Sequence, residues 1–187
     1  DSNTGDGSIA HIIEQSAGLP YLISELAHYA KSQGGKYLPK EQTPNRQETG
    51  HSILADRLTT LPLENRVIVE LAAVAAAPLA PTVIMRAAES GQRSRLRDLS
   101  ILRLLKWTTD GARHALQIYH DHLREFVVSN LSPEILNKRH AALLYAMEQD
   151  GGYDAESLLP HALASQNRAR IRIHASSAAN RASETLA

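Results

Sequence analysis

Apolar positions recur along most of this chain with the period of a helix. Ser8 precedes Ile9, Ile12 and Ile13, an apolar stripe with a capping residue in front of it, and the run stops at Gly18. Pro20 opens a second helix at the position where a missing N–H costs nothing; Leu22, Ile23, Leu26, Ala27 and Ala30 give it one apolar face before Gly34-Gly35. The Gly- and Pro-bearing polar stretch that follows predicts a linker over residues 36–50.

Helical spacing returns at Ile53, Leu54, Leu58 and Leu61 and is broken by Pro62. Leu63 to Ala77 is apolar nearly all round, which predicts a central helix ended by Pro78. Pro81 to Ala88 and Ser94 to Leu105 read as two more helices, the second burying Leu96, Leu99, Ile101, Leu102, Leu104 and Leu105. The period then changes to two. Lys106 to Thr109 and His114 to Ile118 flank Asp110-Gly111, a tight-turn pair, and predict a hairpin. Helices resume over His120–Asn130 and from Pro133, capped by Ser132, to Gln149. Gly151-Gly152 breaks the chain, and Asp154–Ser165 and Asn167–Ala187 predict an antiparallel helix pair.

Three helices and a hairpin are the winged-helix order. The expected fold is therefore mainly α: a helical lid segment (residues 1–35), the linker, a winged-helix domain (51–131) and α-solenoid-like helices (132–187). One helix pair does not establish a repeat.

Composition agrees. With aromatic residues at 4%, the core has to be built from Leu, Ile, Val and Ala, which suits helix packing on helix. Twenty basic residues balance 20 acidic ones, which argues against wholesale binding to nucleic acid or membrane surface. The absence of Cys excludes disulfides, thiolate metal sites and a Cys nucleophile. The start at Asp1 and the helical run up to Ala187 suggest a piece of a longer protein.

Catalytic signatures are missing. No G-x-x-x-x-G-K-[ST] loop and no H-E-x-x-H occur, and Gly5-Asp6-Gly7 is too short to cradle a phosphate. Asn130-Leu131-Ser132 matches a glycosylation acceptor by chance. His120-Asp121-His122 is the densest polar cluster. On a helix its two imidazoles diverge by about 200° and cannot share an ion. The local pattern makes Asp121 a helix-start charge and His120 a donor in the cap region. Arg93, Arg95, Arg97 and Arg103 form a basic stretch on the segment that DNA-binding winged helices place in the major groove, but their spacing spreads them around the helix.

Two motifs combine into a resemblance. Gly18-Leu19-Pro20-Tyr21-Leu22 lies between two helices, and Tyr119-His120-Asp121-His122-Leu123-Arg124-Glu125 follows the hairpin about a hundred residues on. Together they resemble the lid and winged-helix region of the regulatory P-loop ATPases called STAND proteins. Leu54-Ala55-Asp56-Arg57-Leu58, Glu70-Leu71-Ala72-Ala73-Val74 and His140-Ala141-Ala142-Leu143 are similar to bacterial members, nearest to serine/threonine protein kinases or LuxR-type regulators fused to such a module. Tyr119 departs from the apolar residue usual at its position.

The resemblance implies that Gly18 and Pro20 meet the adenine side of a nucleotide. It implies that His120 reaches the β-phosphate of ADP and that Asp121 orients its loop. The phosphate loop, Mg²⁺ and ATP or ADP then belong to a full-length cytoplasmic parent, with no cofactor and no catalytic activity expected of these residues by themselves. The implied partners are an N-terminal ATPase core in the same parent chain and proteins docking on the C-terminal helices, with neither nucleic acid nor membrane. The alternatives are a DNA-binding regulator using Arg93, Arg95, Arg97 and Arg103, or a helical scaffold.

Overall fold

A computed structural model describes residues 54–111 and 113–186. The helices and linker expected before residue 54, with Gly18 and Pro20, lie outside the described residues. The chain divides into two compact units, Asp1–Leu61 and Pro62–Ala187. In the first, residues 54–59 are helical, as the Leu54 and Leu58 spacing predicts.

The second unit is mainly helical with one two-stranded antiparallel sheet. Helix α1 (Leu63–Ala75) is its centre, and every side chain from Ile68 to Ala75 is buried. It ends short of Pro78, because Ala76 turns left-handed at φ 57°. Leu79 follows and exchanges two backbone hydrogen bonds of 2.8 Å with Leu116. Pro81 then starts α2 (Pro81–Ala87).

Helix α3 (Ser94–Ile101) is shorter than its apolar run. Arg103 adopts φ 54°, the Leu104 N–H donates to the Leu99 carbonyl, and the Arg103 N–H donates to that of Ser100. These bonds close a Schellman motif with arginine in the place usually held by glycine. The turn drives Leu104 into the core and makes Leu105 the first residue of a strand. Ile101 and Leu102, expected inside, are 68% and 44% exposed.

Strands β1 (Leu105–Asp110) and β2 (Arg113–Ile118) pair in register from Leu105 opposite Ile118 to Asp110 opposite Arg113. Helix, bridged residue, two helices and hairpin is the order of a winged helix. Its core is Ile68, Leu71, Leu79, Ile84, Leu96, Leu99, Leu104, Leu105 and Leu116, all under 2% exposed.

Helices α4 (Asp121–Ser129) and α5 (Pro133–Asp150) follow and pack on α1. As expected, Ser132 caps α5, its Oγ accepting the Ile135 N–H. Gly151 ends α5 at φ 69°. Asp154 caps α6 (Ala155–Ala164), and Asn167 accepts the Arg170 N–H at the start of α7 (Arg168–Leu186). Arg181, far along α7, lies 3.4 Å from Asp154 at the start of α6, so the two helices run antiparallel.

Candidate functional site

The residues singled out by sequence divide between the hairpin exit and α3. β2 ends at Ile118, and Tyr119 continues the ladder by donating its N–H to the Leu104 carbonyl at 3.0 Å. His120 is the next residue, with extended backbone at φ −148° and ψ 148°. It is the N-cap of α4, not its first helical residue: Nδ1 accepts the His122 N–H at 3.3 Å. This corrects the expected donor role. An accepting Nδ1 fixes the neutral tautomer with its proton on Nε2.

The extended cap also overturns the diverging rings. The His120 and His122 imidazoles stack with centroids 5.4 Å apart and planes at 10°. The 200° separation assumed helical backbone at both positions. His122 Nδ1 lies 3.6 Å from a Glu125 carboxylate oxygen, an ion pair only when the ring is protonated. Asp121 is exposed in the first turn of α4, where its charge meets the helix dipole favourably.

Arg93 just before α3 and Arg97 on it are exposed, and so is Arg103 beyond it. Arg95 is turned back toward α1. It forms an ion pair with Glu64 and donates to the Asn65 side-chain oxygen at 2.9 Å. The four arginines therefore do not act as one face.

Other polar groups, which no motif announced, join the winged helix to the helices that follow. Glu70 of the buried α1 takes two donor nitrogens of Arg139 on α5, at 2.8 and 2.7 Å. The Tyr153 hydroxyl accepts the Ala80 N–H at 2.9 Å, and burial pushes its pKa up. Asp150 accepts from Thr82 at 3.2 Å and lies 3.7 Å from Arg113 at the wing tip. Gly152 fits under the Arg113 guanidinium, where a Cβ would collide with it. The Gly151-Gly152 break was the visible signal here, but it marks only the turn and not its partner across the fold.

Within the C-terminal helices two polar contacts involve histidine. His140 of α5 and His161 of α6 face each other Nδ1 to Nδ1 at 2.9 Å. Such a bond needs one ring to donate and the other to accept, so the accepting ring is neutral. Burial lowers the His140 pKa; burial, with His140 beside it, takes His161 down to about 4. His174 of α7 lies 2.8 Å from Glu148, which also meets Arg170 at 3.3 Å.

Among the described residues no group of three or more His, Cys, Asp or Glu is placed to hold a metal. Nor is any described helix long and apolar enough to cross a membrane. No family model matches the chain, and no curated protein matches it either.

Proposed function

We propose that this chain is a non-catalytic regulatory module of a cytoplasmic signalling ATPase: a lid, a winged helix and the start of a helical sensor array. The observation that carries the reading is the setting of His120. It leaves the hairpin in extended conformation and caps α4 through Nδ1, which assigns the proton to Nε2. An imidazole N–H fixed in tautomer at a strand–helix junction suits a phosphate oxygen. Pro20 supplies the rigid ring for the adenine side, and Gly18 the turn before it.

In the full-length parent the phosphate loop and Mg²⁺ belong to an N-terminal ATPase core, alongside a serine/threonine kinase or LuxR-type output domain. ADP bridging core and module favours a closed form by contacts absent from the open one, and exchange for ATP releases it. The polar joints at Glu70–Arg139 and Ala80–Tyr153 then carry the change to α5, α6 and α7, where protein partners dock.

The test is ADP release from the full-length parent. His120→Ala accelerates release by roughly tenfold or more, the worth of a charge-assisted hydrogen bond. His120→Gln, which keeps an N–H donor, recovers part of the loss. Unchanged release with His120→Ala, or a parent without a phosphate loop, refutes the reading. The isolated chain at millimolar ADP shows no saturable NMR shift at His120 or Pro20.

A second reading, DNA binding, draws support from the exposed Arg93, Arg97 and Arg103. It requires duplex affinity that falls steeply with salt and with Arg97→Ala. The engagement of Arg95 by Glu64 and Asn65 counts against it.

A further inference from the structure

The hairpin has one committed edge and one open edge, and its ladder shows which atoms lie on each. Asp110 and Arg113 flank the two-residue turn, and beyond the other end Tyr119 donates to the Leu104 carbonyl. Even-numbered residues of β1 therefore exchange bonds with β2. On β2 the alternate residue Leu116 turns its N–H and C=O to Leu79 instead. By the same alternation, Trp107 and Thr109 of β1 direct theirs away from β2. Among the described residues the sheet order is β1-β2, so nothing in it pairs that edge.

The edge carries few of the usual guards against pairing. It has no Pro, and Trp107 is 50% exposed on it. Its charges are also self-complementary. Lys106 and Asp110 are both exposed and lie four residues apart on the same strand face. If a second β1 pairs antiparallel about a two-fold axis at Thr108, Lys106 of each copy faces Asp110 of the other. These are non-hydrogen-bonded positions on the new ladder, where side chains come closest. In the same register Trp107 exchanges backbone bonds with Thr109 of the second copy, and the two indoles become diagonal neighbours across the axis. A register centred on Trp107 sets Lys106 against Thr108 and leaves both charges unmatched. A parallel in-register arrangement sets like charges together. Arg113, the strand neighbour of Asp110, is directed at Asp150.

We infer that the chain associates with a second copy of itself through β1, edge to edge and antiparallel, with reciprocal Lys106–Asp110 pairs fixing the register. This contact is separate from the nucleotide reading and stands or falls without it.

The experiment is sedimentation of the purified chain from micromolar to millimolar concentration. It is read together with the fluorescence of Trp107, the only tryptophan in the sequence. The expected result is a reversible dimer, weakened by salt, whose formation shifts the emission. Lys106→Asp and Asp110→Lys each weaken it by roughly tenfold, turning two attractions into two repulsions. The double variant K106D/D110K restores it. Thr109→Pro removes an outward N–H without touching the bonds to β2 and abolishes the dimer. An unchanged thermal midpoint checks that each variant is folded. A monomer at every concentration overturns the inference. So does a dimer indifferent to the single reversals, one that the double variant fails to restore, or one that survives Thr109→Pro.

Discussion

The winged helix and the helices after it are held together by different chemistry. In the first, hydrocarbon does the work: Ile68, Leu71, Leu79, Ile84, Leu96, Leu99 and Leu116 are sealed from solvent around α1. The second carries the two buried histidines of the described residues, His161 and His174, and exposes Tyr145, Leu163 and Ile173. Its helices meet partly through His140–His161 and Glu148–His174. Burial of hydrocarbon is indifferent to pH and tolerant of angle, whereas the hydrogen bond between the half-buried His140 and the buried His161 depends on geometry and is lost when both rings are protonated. The difference sets a pH-indifferent core beside a pH-sensitive attachment.

The sharpest challenge to that contrast is in the core. Leu71→Ala empties a fully buried site on the central helix and is expected to cost about 4 kcal/mol in urea denaturation. A loss nearer 1 kcal/mol would show that the core can collapse around the gap.

The attachment should respond to acid where the core does not. In the folded chain His161 takes up its proton near pH 4, against 6.5 for a free histidine. Between those values the unfolded chain binds more protons, so the contribution of the site is complete above the upper one and fades as pH falls through the window. The whole effect is about 3 kcal/mol. The protection factors of α6 amides, which correct for slower intrinsic exchange in acid, are expected to fall on acidification before those of α1. His161→Leu flattens the dependence.

A smaller effect tests the joint. Arg139→Met removes the partner of a largely buried carboxylate, and Glu70 left alone costs about 2 kcal/mol. Restoration by a second change, Glu70→Leu, would show that the penalty lies in the abandoned charge. Smallest is the cap: Asp154→Ala costs about 1 kcal/mol. The Asp154 carboxyl, held below its usual pKa by the Ser157 hydroxyl and N–H, should titrate below the ordinary carboxylate range. A normal titration would remove the capping bond from the account.

The sequence revealed what is encoded locally. Ser132 before Pro133, Asp154 before Ala155 and Asp110-Gly111 between alternating strands each announced an element within a residue or two of its observed end. The helix end at Arg103 was hidden. Arg103 takes left-handed backbone because the buried Leu104 after it is tied to Leu99 by the closing bond. An apolar run such as 94–105 says nothing about such a turn. His120 was legible as a position, but its role as acceptor was not, because that follows from extended backbone at one residue. Glu70–Arg139 and His140–His161 lie 69 and 21 residues apart, and no spacing rule connects them.

The proposed role of His120 meets its most direct test in the imidazole nitrogen spectrum of the full-length parent, recorded with and without ADP. A phosphate contact predicts a shift at Nε2 of His120, with Nδ1 still an acceptor and His122 little changed. Identical His120 signals in the two states, with nucleotide demonstrably bound, would contradict it.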